Sequence, residues 1–147
     1  MNGKPFVVHE FVRWSDVDPE GIIRYDAYAR FMEIAEGDFF RTIGVSYGDV
    51  FRIYEIGIPR RVMHLDFLSS PVLDEKLEVR VYISHIGTTS LRMDFTFYGF
   101  GGAVRAVGHL VIVCVDLTRG RTKRPWPPEL LALMKPYVME GPDVEPM

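Results

Sequence analysis

The chain has 147 residues, 48% hydrophobic and 25% charged, which suits one compact domain over residues 1–147 and excludes a disordered chain. Its net charge of −3 gives no global field that would gather nucleic acid, so an anionic ligand must be held by a local basic cluster. The single cysteine, Cys114, cannot form an intrachain disulfide and reads as a small buried hydrophobe.

The N-terminal "MNGKPFVVHEF" lacks the basic start and apolar segment of a signal peptide, and no apolar run is long enough to span a bilayer. A cytoplasmic protein without a membrane partner is therefore expected. "FVVHEFVRW", residues 6–14, has strand composition, and "SDVDPEG" supplies the turn residues that stop it. A helix follows from Tyr25: Tyr28, Phe31, Met32, Ala35, Phe39 and Ile43 recur at intervals of three and four, and Gly44 is placed to cap its end. Gly37 inside this helix costs about 1 kcal/mol relative to alanine, which points to close backbone packing there.

"VSYGDVFRIYEIGIPR" is less regular. "RRVMHLDFLS", residues 60–69, reads as a strand. "KLEVRVYISHI" alternates Leu77, Val79, Val81 and Ile83 against Lys76, Glu78, Arg80, Tyr82 and Ser84, as a strand with one wet face should. "SLRMDFTFYGF" repeats this with Leu91, Met93, Phe95 and Phe97 inward and Arg92, Asp94 and Thr96 outward. "AVGHLVIVCVDL" is apolar on both faces and reads as a central strand covered twice. The connections "GT" and "GFGG" suit antiparallel hairpins, and a short helix is expected from Pro128. One long helix with five such strands is an α+β layout, too small to bury every apolar face alone, so edge-to-edge dimerisation is expected.

The stretch "DVDPEGIIRYDAYARFMEIAEGDFFRTIG" resembles the first block of the 4-hydroxybenzoyl-CoA thioesterase family: aspartate, proline, spacer, glycine, then a tyrosine-led helix ending in glycine. "LDFLSSPVLDEKLEVRV", "IGTTSLRMDF" and "GHLVIVCVDLTRGRTKRPWPPEL" are similar to its later blocks, so the resemblance spans about residues 6–131. It implies a hotdog fold, an antiparallel sheet wrapped around one helix, in dimers or tetramers, acting as an acyl-CoA thioesterase. No cofactor is implied, because coenzyme A is part of the substrate.

By this resemblance Asp18 is the catalytic carboxylate, as nucleophile or general base, and the Tyr25 amide polarises the thioester carbonyl. Leading helix amides lack intrahelical partners and carry the positive end of the dipole, which suits that task. Gly21 allows the tight turn between them, and Pro19 restricts the backbone of Asp18. Taken alone, "DVDPEG" reads equally as a turn or N-cap, and Asp16 as a turn residue or a partner of Arg13. A related hotdog branch uses a helix glutamate, a position open here to Glu33 or Glu36, although charged helix residues usually face solvent.

Nucleotide phosphates call for Arg and Lys. "TRGRTKRP" offers Arg119, Arg121, Lys123 and Arg124, and Arg60 and Arg61 form a second basic pair. Thr88, Thr89 and Ser90 match a segment implied to lie near the pantetheine arm. Gly87, Thr88 and Thr89 stand where the 4-hydroxybenzoyl-specific branch is basic, and Ile22 where a related branch often has histidine, so the acyl group stays open. Tyr47, Phe51, Tyr54 and Phe67 could shape its pocket. His9, His64, His85 and His109 show no metal-ligand spacing, and no metal is expected. A non-catalytic acyl-CoA binder is the rival reading; it would have no use for a carboxylate at position 18. An acyl-carrier-protein thioester is the other open substrate.

Overall fold

The structure, a computed structural model, describes residues 3–140. In chain order the elements are β1 (Phe6–Phe11), α1 (Tyr28–Ile43), α2 (Tyr47–Tyr54), β2 (Ile56–Gly57), β3 (Arg60–Phe67), β4 (Lys76–Ile86), β5 (Ser90–Tyr98), β6 (Val104–Val113), β7 (Val115–Asp116), β8 (Thr122–Lys123) and α3 (Pro128–Met134). The five long strands, in the order β1-β4-β5-β6-β3, form one sheet that is antiparallel throughout, and β2, β7 and β8 form a second small one. All five expected strands are present. β1 ends earlier than expected, because Val12 leaves the ladder to exchange backbone hydrogen bonds with Asp74 and Glu75, and Trp14–Asp16 then coils into a 3-10 turn.

The alternation in β4 and β5 delivers one continuous apolar face: Leu77, Val79, Val81 and Ile83 with Leu91, Met93, Phe95 and Phe97 are all essentially inaccessible. α1 packs across this face and β1 with Phe31, Met32, Ala35 and Phe39. Burying each such large side chain contributes about 1.5–3 kcal/mol, so the helical period fixes which way the helix lies. A 3-10 turn, Tyr25–Ala27, leads into α1, which therefore starts three residues later than its periodicity predicts. Gly44 ends it as expected, at φ 96°, with its amide on Arg41 O and the Val45 amide on Phe40 O.

Three sequence expectations are corrected. Tyr82, Asp94 and Thr96 do not face solvent: they are buried on the sheet's outer face, where the Arg92 guanidinium and the Ser84 hydroxyl both donate to Asp94. Close backbone packing does not explain Gly37, since a Cβ there would meet only the Arg41 guanidinium, at 3.4 Å. The irregular stretch after α1 contains α2, started by a reciprocal cap in which Asp49 N donates to Ser46 Oγ and Ser46 N to Asp49 Oδ2.

Among the described residues β3 pairs only with β6, so one sheet edge is open, with Val62, Met63 and Phe67 exposed along it. No helix of the described residues is long and apolar enough to cross a membrane.

Candidate active site

Residues 16–24 fold back on themselves as a two-rung hairpin. The Arg24 amide donates to Asp16 O (2.8 Å), Val17 bridges to Ile23, and the Asp18 amide donates to Ile22 O (2.9 Å). At the tip the Gly21 amide closes a turn on Asp18 O (2.9 Å), and Gly21 sits at φ 83°, which a side chain would oppose. The returning arm docks on residues 71–73, through Ile23 N to Pro71 O, the Ile22–Val72 bridge and Leu73 N to Gly21 O.

The two aspartates of this hairpin do different work. Asp16, 2% exposed, receives Arg30 Nε (2.8 Å) and Nη2 (2.5 Å) on its two oxygens and the Arg13 amide (2.8 Å). Burial works to raise its carboxyl, but the hydrogen bonds from Arg30 and Arg13 hold it below its ordinary value. It clamps the hairpin to the first turn of α1. Asp18 is half-buried; its Oδ1 accepts the Glu20 amide (2.8 Å) in an Asx turn, and Oδ2 has no partner among the described residues. The partner foreseen for Asp16, Arg13, contributes its amide, while the guanidinium comes from Arg30. Sequence spacing gave no sign of that pairing.

Tyr25 follows the hairpin's base directly and is 77% exposed, its amide the first of the 3-10 turn before α1. Asp18, Gly21 and Tyr25 are thus brought together in one short unit.

The other predicted contacts lie elsewhere. Thr88 and Thr89 lie in the turn between β4 and β5 and Ser90 opens β5, while the hairpin of Asp18 docks at the opposite end of β4, about 33 Å away at strand rise. Their carbonyls are already used, Thr88 O by Trp126 N, Thr89 O by Cys114 N and Ser90 O by Gly87 N and Trp126 Nε1. Arg60 stands at this same far end and is tied to Glu36, Tyr47 Oη and Ile58 O. Arg124 is spent on Tyr54 O (2.9 Å). Arg61, Arg121 and Lys123 are exposed and form no ion pair among the described residues. Arg60 and Arg121 share one depression of about 360 Å³ with Phe51, Pro59 and Leu117.

A cavity of about 430 Å³ runs between α1, α2 and the open edge of β3, lined by Ala29, Met32, Phe51, Met63 and Leu110 with Glu33, Glu36, Tyr47 and Arg60. Of the four aromatic residues expected at an acyl pocket, it contains Tyr47 and Phe51. Glu36 is 4% exposed, and burial raises its carboxyl above the ordinary range against the pull of Arg60 and Tyr47.

The description "Thioesterase-like superfamily" matches residues 12–134, most of the chain and both ends of the hairpin-helix unit. The chain belongs to that superfamily. No curated protein matches it in sequence. Among solved structures it is similar to a hypothetical protein from Staphylococcus aureus in complex with CoA, at 15% identity and TM-score 0.87 over 99% of this chain and 92% of that one. It is similar to a 1,4-dihydroxy-2-naphthoyl-CoA thioesterase from Synechocystis at 17% identity and TM-score 0.82, over 89% and 96%. A DHNA-CoA thioesterase from Staphylococcus aureus gives 17% identity and TM-score 0.80 over 89% of each chain. These likenesses establish the hotdog fold, and the superfamily is established more broadly than the 4-hydroxybenzoyl-CoA branch. For this thioesterase-like chain the buried Glu36 was the residue that sequence reasoning undervalued. Its position, four residues after Met32 on the apolar stripe of α1, was the signal.

Proposed function

We propose that this chain hydrolyses an acyl-CoA thioester to the free acid and CoA. The observation that carries the reading is the hairpin of residues 16–24, which leaves Asp18 Oδ2 uncommitted at its tip and the Tyr25 amide at its base. Two rungs separate them by about 7 Å at strand rise. A thioester group between them meets the carboxylate, or a water on it, at about 3–3.5 Å and the amide near 3 Å. Asp18 attacks the acyl carbon or takes a proton from the water that does, negative charge grows on the carbonyl oxygen, and the Tyr25 N–H, backed by the α1 dipole, stabilises it until the CoA thiolate leaves; where Asp18 itself attacks, water then cleaves the mixed anhydride to the free acid and restores the carboxylate.

The nucleotide is held from a second protomer in this reading. Within one chain the exposed Arg61, Arg121 and Lys123 and the turn of Thr88 to Ser90 are at the wrong end of the sheet for Asp18. Antiparallel pairing of two β3 edges lays the Arg60 end of one strand beside the Phe67 end of the other. Phe67 packs against Tyr28 at the start of α1 (centroids 5.2 Å), so the pairing carries the basic residues of one protomer to the Asp18 hairpin of the other.

Asp18→Asn and Asp18→Ala, assayed on a panel of acyl-CoAs, should lose roughly 10²-fold or more in kcat while remaining folded. Full rate in both variants would refute the assignment, and a wild type that binds acyl-CoA without turning it over would favour a binding module. Light scattering on a size-exclusion column should give two or four times the chain mass. A fully active monomer would exclude the shared site.

A further inference from the structure

The cavity beside α1 has more polar machinery than an aliphatic chain needs. Ala29, Met32, Glu33 and Glu36 recur at three- and four-residue intervals, so they form one face of the helix, and all four line the cavity. Ala29 stands one turn after Tyr25, and its small side chain keeps the groove open towards the helix start. Met32, Met63 and Leu110 supply adaptable apolar walls. Farther along α1 from Tyr25 stand Glu36 and its partners Tyr47 and Arg60. Both hydrogen bonds on Glu36, from Tyr47 Oη (3.0 Å) and from Arg60 Nη2, fall on Oε1. Oε2 has no partner among the described residues. It is also not sealed, since the enclosed partnerless side-chain atoms are His64 Nε2 and Asp66 Oδ2. One carboxylate oxygen of a nearly inaccessible residue is therefore free of protein partners in a groove whose other polar side chains are Glu33, Tyr47 and Arg60.

We infer that this groove takes the acyl part of the substrate and that Glu36 Oε2 accepts a hydrogen bond from a hydroxyl near the far end of a medium-length aliphatic chain. The inference rests on the hydrolase reading above and adds a substrate class to it. From Tyr25 to Glu36 the 3-10 turn and α1 together rise about 18 Å, and the glutamate side chain leans back towards the helix start, so short acyl groups fall short of it. A plain alkyl end is disfavoured there, because it would strip water from the free oxygen without replacing the hydrogen bond. Glu36 is a specificity residue in this scheme, and Arg60 and Tyr47 position it by fixing Oε1.

The test uses three CoA thioesters: a medium-chain acyl group hydroxylated at its terminal carbon, the same chain without the hydroxyl, and a short hydroxyaryl acyl group. Wild type should favour the hydroxylated chain over the plain one by about tenfold or more in kcat/KM, the worth of one hydrogen bond to a charged group. In the paired variant E36L/R60M, which removes both charges together and strands neither, that ratio should fall to about one. Glu36→Gln is the variant closer in shape. With its oxygen held by Arg60 it turns an NH2 donor into the groove, so the ratio should fall there too. A ratio of one in wild type, a ratio unchanged in both variants, or a preference confined to the hydroxyaryl thioester would overturn the inference while leaving the hydrolase reading standing. No turnover of any thioester by wild type would sink both.

Discussion

Both ends of the main sheet hold buried carboxylates with arginines, but they differ in the basic charge they leave exposed. At the end where the Asp18 hairpin docks, carboxylates are immobilised by arginines: Asp16 by Arg30, and Glu75, with no exposed surface, by Arg105 through Nε (2.8 Å) and Nη2 (3.1 Å), with the Phe100 and Val72 amides adding two more hydrogen bonds. At the other end Arg60, Arg92 and Arg124 are also committed to the fold, but Arg61, Arg121 and Lys123 stay exposed. In the proposed reading, fixed charge beside Asp18 holds geometry while loose charge at the rim follows a nucleotide, so one end positions chemistry and the other recruits ligand.

Removing a carboxylate from the fixed end should have the largest effect on stability. Glu75→Ala strands a mostly buried guanidinium and two amides, and should cost about 3–5 kcal/mol. Arg61→Ala or Lys123→Ala should stay within about 0.5 kcal/mol and act on KM for acyl-CoA instead. Urea midpoints at constant slope check the first, and steady-state kinetics the second. Equal stability costs at both ends would erase the contrast.

Acid should separate the same ends less strongly. Burial works to raise Glu75 and Asp16, but hydrogen bonds from Arg105 and Arg30 and from backbone amides hold both below their ordinary 4.5 and 3.8. Their stabilisation is complete above those values and is lost as pH falls through the depressed ones. Glu36, raised above 4.5 by burial, behaves in reverse: its contribution is complete below 4.5 and is lost as pH rises through its raised value. Melting temperature should therefore drop below about pH 4, and Glu75→Gln should flatten that limb. Glu36→Gln should instead flatten the decline above pH 4.5. An acid limb identical in Glu75→Gln and wild type would contradict the assignment.

The parts of this molecule readable from sequence are those with a period. The alternation of β4 and β5 and the three- and four-residue spacing of α1 each specify an apolar face, and the glycine after Ile43 specifies a stop; each is found, although the face of β4 and β5 expected to be wet is partly covered. Strands of two residues, β2, β7 and β8, are too short to show alternation. α2 was announced by Ser46 and Asp49, a capping pair that went unread inside an irregular stretch. Asp18, Gly21 and Tyr25 were legible as a unit because the chain makes them neighbours. The clamp of Arg30 on Asp16, the burial of Glu36 against Arg60 and the cover over Asp94 depend on packing between distant segments, which no local pattern encodes.

Gly37 gives the smallest predicted effect and sharpens the comparison at the ligand end. It follows Glu36 directly, in the middle of α1, and a methyl group placed on it would touch only the tips of Arg41, an exposed side chain already turned towards Asp38. Gly37→Ala should therefore stabilise the isolated chain by about 0.5–1 kcal/mol through helix propensity alone. Thermal melts at low and high protein concentration distinguish two causes for the glycine. A gain at both concentrations means that nothing requires it. A gain that vanishes or reverses only where protomers associate would mean that a second chain approaches the α1 backbone beside Glu36, so that the acyl groove is walled by both protomers.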